Sequence, residues 1–269
     1  MKTVFRSWLR RRNEGPARPV GIGHSHLEAL RDAWATRDQP GTEHPAGHFL
    51  QMLAPEYNPN LSPDATLNPA LRAALDEALS AKGATPVLFD CISGNEYHFI
   101  GLTNHPRPFD FALAARPDLP PQTGAEIIPA ALMRATLHAH IAPALATMTA
   151  LRRATDLPIW HVQSPPPLPD NDYIRQNASV FAAQIAEHGV APASLRMKLW
   201  LLQSEIYRAH CEAIGIRFVP VPAAVCDAAG FLLRAGWVWD PAHSNAWYGA
   251  HVLDQLESLA AAARRDRAA

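Results

Sequence analysis

Short apolar runs alternate with amphipathic stretches along most of this chain. Nearly continuous apolar runs at 85–92, 157–163 and 217–221 predict strands that are buried on both faces. Val20 and Ile22 predict a further short strand that ends at a glycine-containing turn. The run at 49–53 lies within a long segment rich in Pro, Gly and Asn, and it predicts either a second strand or a brief helix.

The stretches between these runs carry apolar residues at helical spacing. In the segment 69–81, Leu71, Leu75 and Leu79 are four residues apart, Asn68 is placed to cap the N-terminus, and Pro69 suits the first helical position. Similar stripes predict helices at about 26–34, 127–153, 178–187 and 195–214, and another at the C-terminus. The segment 101–126 is predicted as loops and turns, and so is the motif DPAHSN at 240–245.

Strands that alternate with helices in this way are typical of an α/β fold in which helices cover both faces of a parallel sheet. We expect one domain over 19–265, preceded by a short basic segment at 1–18. Such folds bind ligands beyond the carboxyl ends of their strands. Ser25, Asn95 and Asp240 each follow a predicted strand or lie in a late turn, so we expect them to converge at that edge.

Composition narrows the possible classes of function. The net charge is −1, which gives no basic surface for nucleic acid, and no run approaches the ~18 apolar residues of a membrane-spanning helix. Three cysteines are too few for a disulfide framework, and the basic N-terminus lacks the apolar core of a secretory signal. We therefore expect a cytoplasmic protein without an integral membrane segment. The oligomeric state cannot be predicted.

Ser25 lies at the tip of the first predicted strand-to-helix turn, between His24 and His26. A serine at such a turn exposes its hydroxyl above the end of the sheet, beside the N–H groups of a helix N-terminus, which favour negative charge. This is a suitable place for an acyl-transfer nucleophile. The alternative is an ordinary serine N-cap.

A serine hydroxyl is a weak nucleophile and needs an oriented base. Asp240 and His243 are three residues apart, so the carboxylate can reach one imidazole nitrogen while the other faces the serine. Asn95, which follows a buried strand, is a suitable oxyanion donor. The alternatives are a turn that only caps the last helix, and an ordinary turn residue in Ser-Gly-Asn.

Three segments together resemble the sequence blocks of the SGNH (GDSL-like) hydrolase superfamily. They are GHSHL at 23–27, SGNE at 93–96 and DPAH at 240–243, in the family's order and at similar spacing. The resemblance implies a doubly wound, flavodoxin-like α/β/α sandwich and a serine esterase. It also implies Ser25 as nucleophile, His243 as base, Asp240 as its orienting partner, and Asn95 with the Ser25 N–H as oxyanion donors.

This chain departs from the family pattern as a divergent member would. His24 replaces the usual Asp, and Ser93 and Glu96 replace Gly and Asp. The family's second oxyanion glycine has no clear counterpart, although Gly41 and Gly47 lie in the right region. No cofactor or metal is expected.

The predicted substrate is a small-molecule or glycan ester, for example an O-acetylated sugar. An O-acyltransferase would use the same triad, so the sequence does not separate these two activities. A metal-dependent phosphoesterase is a further alternative, because the chain contains 13 histidines, among them His24-x-His26 and the His98 of Gly-Asn-Glu-Tyr-His.

Overall fold

A computed structural model of the protein describes residues 17–37 and 45–268. Five parallel strands form its central sheet, in the order β2-β1-β3-β6-β7. These strands are β1 (Ala17–Gly23), β2 (His48–Gln51), β3 (Thr85–Cys91), β6 (Ile159–Val162) and β7 (Arg217–Val219). On one side of β1 lies β2, and on the other side lie β3, β6 and β7 in chain order. The sheet is therefore doubly wound, and its switch point lies between β1 and β3.

Helices cover both faces of this sheet. In chain order they are α1 (Leu27–Ala35), α2 (Pro69–Ser80), α3 (Glu96–Gly101), α4 (Ala130–Ala154), α5 (Asn171–Gln176), α6 (Ala182–His188), α7 (Ala193–Ile214) and α8 (Ala246–Ala268). The apolar stripes of α2, α4 and α7 bury one face of the sheet, and those of α1 and α8 bury the other. The expected α/β/α sandwich is therefore confirmed.

The remaining strands are short and lie outside the main sheet. Strands β4 (Phe109–Asp110) and β5 (Glu126–Ile127) pair in parallel, while β8 (Trp237–Val238) and β9 (Asp240–Ser244) form an antiparallel hairpin. Single 3₁₀ turns occur at Pro55–Tyr57, Ser179–Phe181, Ala223–Val225 and Arg234–Gly236.

Most predicted elements appear within a few residues of their expected positions. Asn68 caps α2 as predicted, since its side chain accepts hydrogen bonds from the N–H groups of Ala70 and Leu71. The ambiguous run at 49–53 is a strand, because it pairs with β1 along one edge of the sheet.

Three predictions were wrong in detail. The polar segment predicted as a loop before residue 178 contains the helix α5, whose N-terminus is capped by Asp170. The helix predicted at 178–187 is divided into a 3₁₀ turn and α6. The predicted DPAHSN turn forms β9, because β8 lies close enough to pair with it.

Two predicted segments extend beyond the residues that the structure describes. These are residues 1–16 of the basic N-terminal segment and residues 38–44 of the long loop, whereas Ala17 and Arg18 already belong to β1. Within the described chain, every helix is too short or too polar to cross a lipid bilayer.

Candidate active site

Ser25 occupies the tight turn between β1 and α1, at the carboxyl edge of the sheet. The N–H of His24 donates to the carbonyl of Cys91 at 3.1 Å, which ties the turn to the end of β3. The helix α1 begins two residues after Ser25, at Leu27. For the Ser25 N–H itself, no protein acceptor is found among the described residues, so this donor is free for a ligand.

Asp240 and His243 form a hydrogen-bonded pair on β9. The imidazole Nδ1 of His243 lies 2.9 Å from Asp240 Oδ2 and 3.0 Å from Oδ1, which leaves Nε2 free. Asp240 Oδ1 also accepts from the N–H groups of Ala242 and His243 at 2.7 and 2.9 Å. Burial raises the pKa of Asp240, but these hydrogen bonds outweigh it, so the net pKa lies below its usual value. The carboxylate is therefore ionised at neutral pH.

Asn95 lies at the N-terminus of α3, directly after a strained turn. Ser93 and Gly94 have φ angles of +63° and +113°. A Cβ atom on Gly94 would lie 2.7 Å from the Cβ of Ser164, so this position has neither the conformation nor the space for a larger residue. The turn brings Asn95 back over the end of β3, beside the Ser25 turn.

Two side chains hold the Asn95 turn in place. Glu96 accepts hydrogen bonds from Ser93 Oγ and, at 3.0 Å, from the Gly94 N–H. Gln203, which is buried on α7, donates to the Gly94 carbonyl at 2.8 Å and accepts from the Tyr97 N–H at 2.9 Å. The peptide group before Asn95 and the first turn of α3 are thus fixed by the core.

His26 links the Ser25 turn to His243. Its ring centroid lies 5.6 Å from that of His243, and its Cδ2 packs against the Gly94 backbone. Burial lowers the pKa of His26 to about 3, with a smaller contribution from nearby His243, while the facing Asn95 carboxamide opposes the shift. Neither ring nitrogen has a hydrogen bond of good geometry. His26 is therefore a neutral imidazole packed between His243 and the Asn95 turn.

The structure thus brings the four predicted residues to one corner of the sheet, at the switch point between β1 and β3. His26 follows Ser25 directly, contacts His243 and faces Asn95. No hydrogen bond joins Ser25 Oγ to His243 in this structure. Without substrate, catalytic hydrogen bonds are commonly long and tighten only in the complex.

The candidate oxyanion glycines were the weakest part of the sequence prediction. Gly47 lies just before β2 and therefore at the amino end of the parallel strands, whereas the site lies at their carboxyl end. It packs there against Trp34 and Phe49, so it cannot contribute to this site. Gly41 lies outside the described residues. The two amides that follow β2 already donate, Met52 to the Gly23 carbonyl at 2.7 Å and Leu53 to the Gln51 side chain at 3.3 Å.

Sequence reasoning missed the residues that support the site. Gln203 lies on a helix stripe otherwise made of Leu199, Leu202 and Ile206, and a lone polar residue on that stripe was the available signal. For the burial of His26 there was no signal, because its packing against Gly94 depends on the strained turn after β3.

The remaining groups considered are an alternative nucleophile, Cys91, and a metal site. Cys91 is buried at the end of β3, and burial raises the pKa of its thiol well above the usual value. In the part of the chain that the structure describes, no three His, Cys, Asp or Glu side chains are grouped to hold a metal ion.

No family model and no curated protein matches this sequence. Among solved structures, the chain is similar to the periplasmic domain of a lipopolysaccharide acetyltransferase from Salmonella ser. Paratyphi A, with 12% identity over 91% of this chain and 84% of that one and a TM-score of 0.46. It is also similar to a carbohydrate acetylesterase from Sinorhizobium meliloti, with 12% identity over 91% and 99% of the two chains and a TM-score of 0.37. Likenesses at this level carry no information on activity, which has to be argued from the residues of this chain.

Proposed function

We propose that this protein is a serine esterase that cleaves a small acyl ester through an acyl-enzyme intermediate. The observation that carries the proposal is the Asp240–His243 pair, which leaves Nε2 free and whose imidazole lies beside His26, the residue directly after Ser25. An imidazole held by an ionised carboxylate on one nitrogen and open on the other is the arrangement that a serine nucleophile needs.

Each residue has one role in the proposed reaction. Ser25 Oγ attacks the ester carbonyl while His243 Nε2 takes its proton, and Asp240 stabilises the imidazolium that results. The negative charge on the carbonyl oxygen is stabilised by the Ser25 N–H and the Asn95 carboxamide. His243 then gives its proton to the departing alcohol, the ester bond breaks, and a water molecule activated by His243 releases the acyl group from Ser25.

The surroundings of the base support a polar ester, such as an O-acetylated sugar, as the substrate. Trp239, directly before Asp240 in the chain, is 86% exposed and offers a flat aromatic surface to a ligand. The Tyr173 hydroxyl donates to the Val238 carbonyl at 3.0 Å, which anchors the polar helix α5 against the same hairpin. A sugar hydroxyl in place of water would make the enzyme an O-acyltransferase, and product analysis with and without a sugar acceptor separates the two activities.

The proposal is tested by labelling purified protein with a fluorophosphonate probe and assaying a short-chain nitrophenyl ester. We expect Ser25→Ala and His243→Ala to lose both labelling and turnover, because a serine and its base act as a unit. Ser258→Ala and His251→Ala, both on α8, are the matched controls and should behave as the wild type. Absence of labelling in the wild type, or labelling that persists in Ser25→Ala, would overturn the assignment.

A further inference from the structure

A chain of hydrogen bonds joins the Ser25 turn to the Asn95 turn through His24. The Nδ1 of His24 accepts the Ser93 N–H at 3.0 Å, and its Nε2 lies 3.3 Å from Asn60 Oδ1. His24 directly precedes the proposed nucleophile, while Ser93 begins the turn that carries the proposed oxyanion donor. The esterase mechanism gives this imidazole no role.

The contacts of Asn60 determine which nitrogen of His24 carries a proton. The Asn60 Nδ2 group donates to the carbonyls of Met52 and Tyr57, both at 2.9 Å, so its Oδ1 must be the atom that faces His24. An amide oxygen can only accept, and His24 Nε2 therefore carries the hydrogen. In a neutral imidazole Nδ1 is then an acceptor, which is what the Ser93 N–H requires.

We propose that His24 is a positioning residue that holds the oxyanion turn only while its imidazole is neutral. Protonation would place an N–H on Nδ1, facing the N–H of Ser93, and this contact would be lost. The Ser93–Gly94 backbone lies in the left-handed region and depends on its supporting hydrogen bonds. Loss of this contact would leave the turn held by Glu96 and Gln203 alone and would let the Asn95 carboxamide shift from its place beside the Ser25 turn. The inference rests on the proposed esterase function.

The groups around His24 shift its pKa in opposite directions. Burial lowers the pKa of His24, while the Asn60 hydrogen bond and the carboxylates of Glu96 and Asp90 oppose the shift. On its own turn, His26 is held neutral by burial. The neutral form of His24 is therefore the resting state at neutral pH, and acid converts it to the form that releases the turn.

Three substitutions of His24 distinguish the contact of Nδ1 with Ser93 from the contact of Nε2 with Asn60. In His24→Asn the side-chain oxygen can occupy the place of Nδ1 and accept from Ser93 without titrating. In His24→Gln the amide reaches instead toward Asn60, and His24→Leu keeps neither contact. We expect the Gln and Leu variants to lower kcat by roughly 10- to 100-fold with little change in KM, and the Asn variant to lose much less. His138→Asn, an exposed histidine on α4, is the control.

The pH profile supplies a readout that a merely structural role would not change. On its acid limb the kcat of the wild type should fall more steeply with pH than the kcat of His24→Asn, because protonation of His24 removes the Ser93 contact only in the wild type. Circular dichroism at each pH confirms that the fold persists. Superimposable profiles of the two proteins, or equal kcat in the wild type and His24→Leu, would overturn the proposal.

Nitrogen-15 NMR of the histidine side chains tests the inference without any assay of activity. The histidine resonances that disappear in His24→Asn belong to His24, and their chemical shifts should be those of the tautomer with hydrogen on Nε2. Shifts of the opposite tautomer would contradict the proposal. Failure of the esterase function has a different signature, namely Ser25→Ala retaining the hydrolysis seen in the wild type.

Discussion

At the scale of single residues, the two carboxylate oxygens of Asp240 make different sets of contacts. Oδ1 accepts the backbone N–H groups of Ala242 and His243 and lies 3.0 Å from His243 Nδ1, whereas Oδ2 faces only His243 Nδ1, at 2.9 Å. Oδ1 therefore shapes the local backbone, and Oδ2 serves only to orient the proposed base. A substitution that changes only the second oxygen should separate structure from catalysis.

Asp240→Asn makes that change. Its oxygen can still accept the two backbone N–H groups, but its NH₂ group would face Nδ1 and favour the tautomer with hydrogen on Nε2, which cannot act as a base. We expect kcat to fall by about 10³- to 10⁴-fold while the thermal midpoint changes little. A thermal midpoint that falls sharply together with kcat would show that the loss is structural.

Asn95→Ala removes the carboxamide that we assign to the oxyanion. Loss of one such donor costs on the order of 10²- to 10³-fold in kcat. Because Ser25 and His243 are unchanged, slow fluorophosphonate labelling of the same serine should remain detectable. Retention of full kcat would remove Asn95 from the mechanism.

At the scale of elements, the short segment between β3 and α3 decides whether the site exists. This segment has strained backbone angles, so it depends on the groups packed against it. Ser164 fills the space beside Gly94, and Gln203 on α7 binds the Gly94 carbonyl and the Tyr97 N–H in the first turn of α3.

Gly94→Ala tests the strain and the packing together, and Gly83→Ala provides the matched control. Gly83 also has a positive φ, of +100°, but a Cβ atom there would meet nothing within 4 Å. We expect Gly83→Ala to cost about 1–2 kcal/mol of unfolding free energy through strain alone. Gly94→Ala should cost more and should also lower kcat, as measured by denaturant unfolding and ester turnover. Equal losses of unfolding free energy in the two variants would show that Ser164 moves aside without an energetic cost.

Gln203→Leu tests the support from α7. It leaves the Gly94 carbonyl and the Tyr97 N–H without partners in a buried place, at a cost of about 1–3 kcal/mol for each group. Gln203→Glu, which keeps an acceptor for Tyr97, should lie between Leu and the wild type in both unfolding free energy and kcat. The reverse order would mean that the amide does not position the turn.

At the scale of the whole molecule, the buried histidines tie stability to pH. Burial lowers the pKa values of both His26 and His98 to about 3. In the unfolded chain these groups bind protons below about pH 6.5, whereas in the folded state they stay neutral until about pH 3. Their contribution is therefore fully present at neutral pH and above, and it is lost as the pH falls through this window.

Each histidine should remove up to about 1.4 kcal/mol of unfolding free energy per pH unit across most of that window. Denaturant unfolding from about pH 7 to about pH 4.5 measures this dependence. His98→Phe should reduce the slope by one such contribution, whereas His138→Asn, on the surface, should leave it unchanged. An unchanged slope in His98→Phe would show that His98 takes up its proton at the same pH in the folded and the unfolded protein.

The sequence by itself determined the sheet, the layers and the positions of the polar residues after the strands. Continuous apolar runs predict buried parallel strands, and the spacing of Leu71 and Leu75 predicts a helix, because burial on two faces or on one stripe leaves a local pattern. Such patterns need no knowledge of what each element contacts. They also placed Ser25, Asn95 and Asp240 at one edge.

Only the tertiary structure decided how those residues are held. His26 and Gln203 become part of the site because the turn at Ser93 and Gly94 packs between them, and these contacts join residues that are far apart in the chain. The same holds for Lys198 and Asp110, a fully buried ion pair 2.6 Å apart that the amphipathic pattern of α7 does not reveal. The partner of a buried polar side chain is fixed by packing in three dimensions, and a linear pattern carries no record of it.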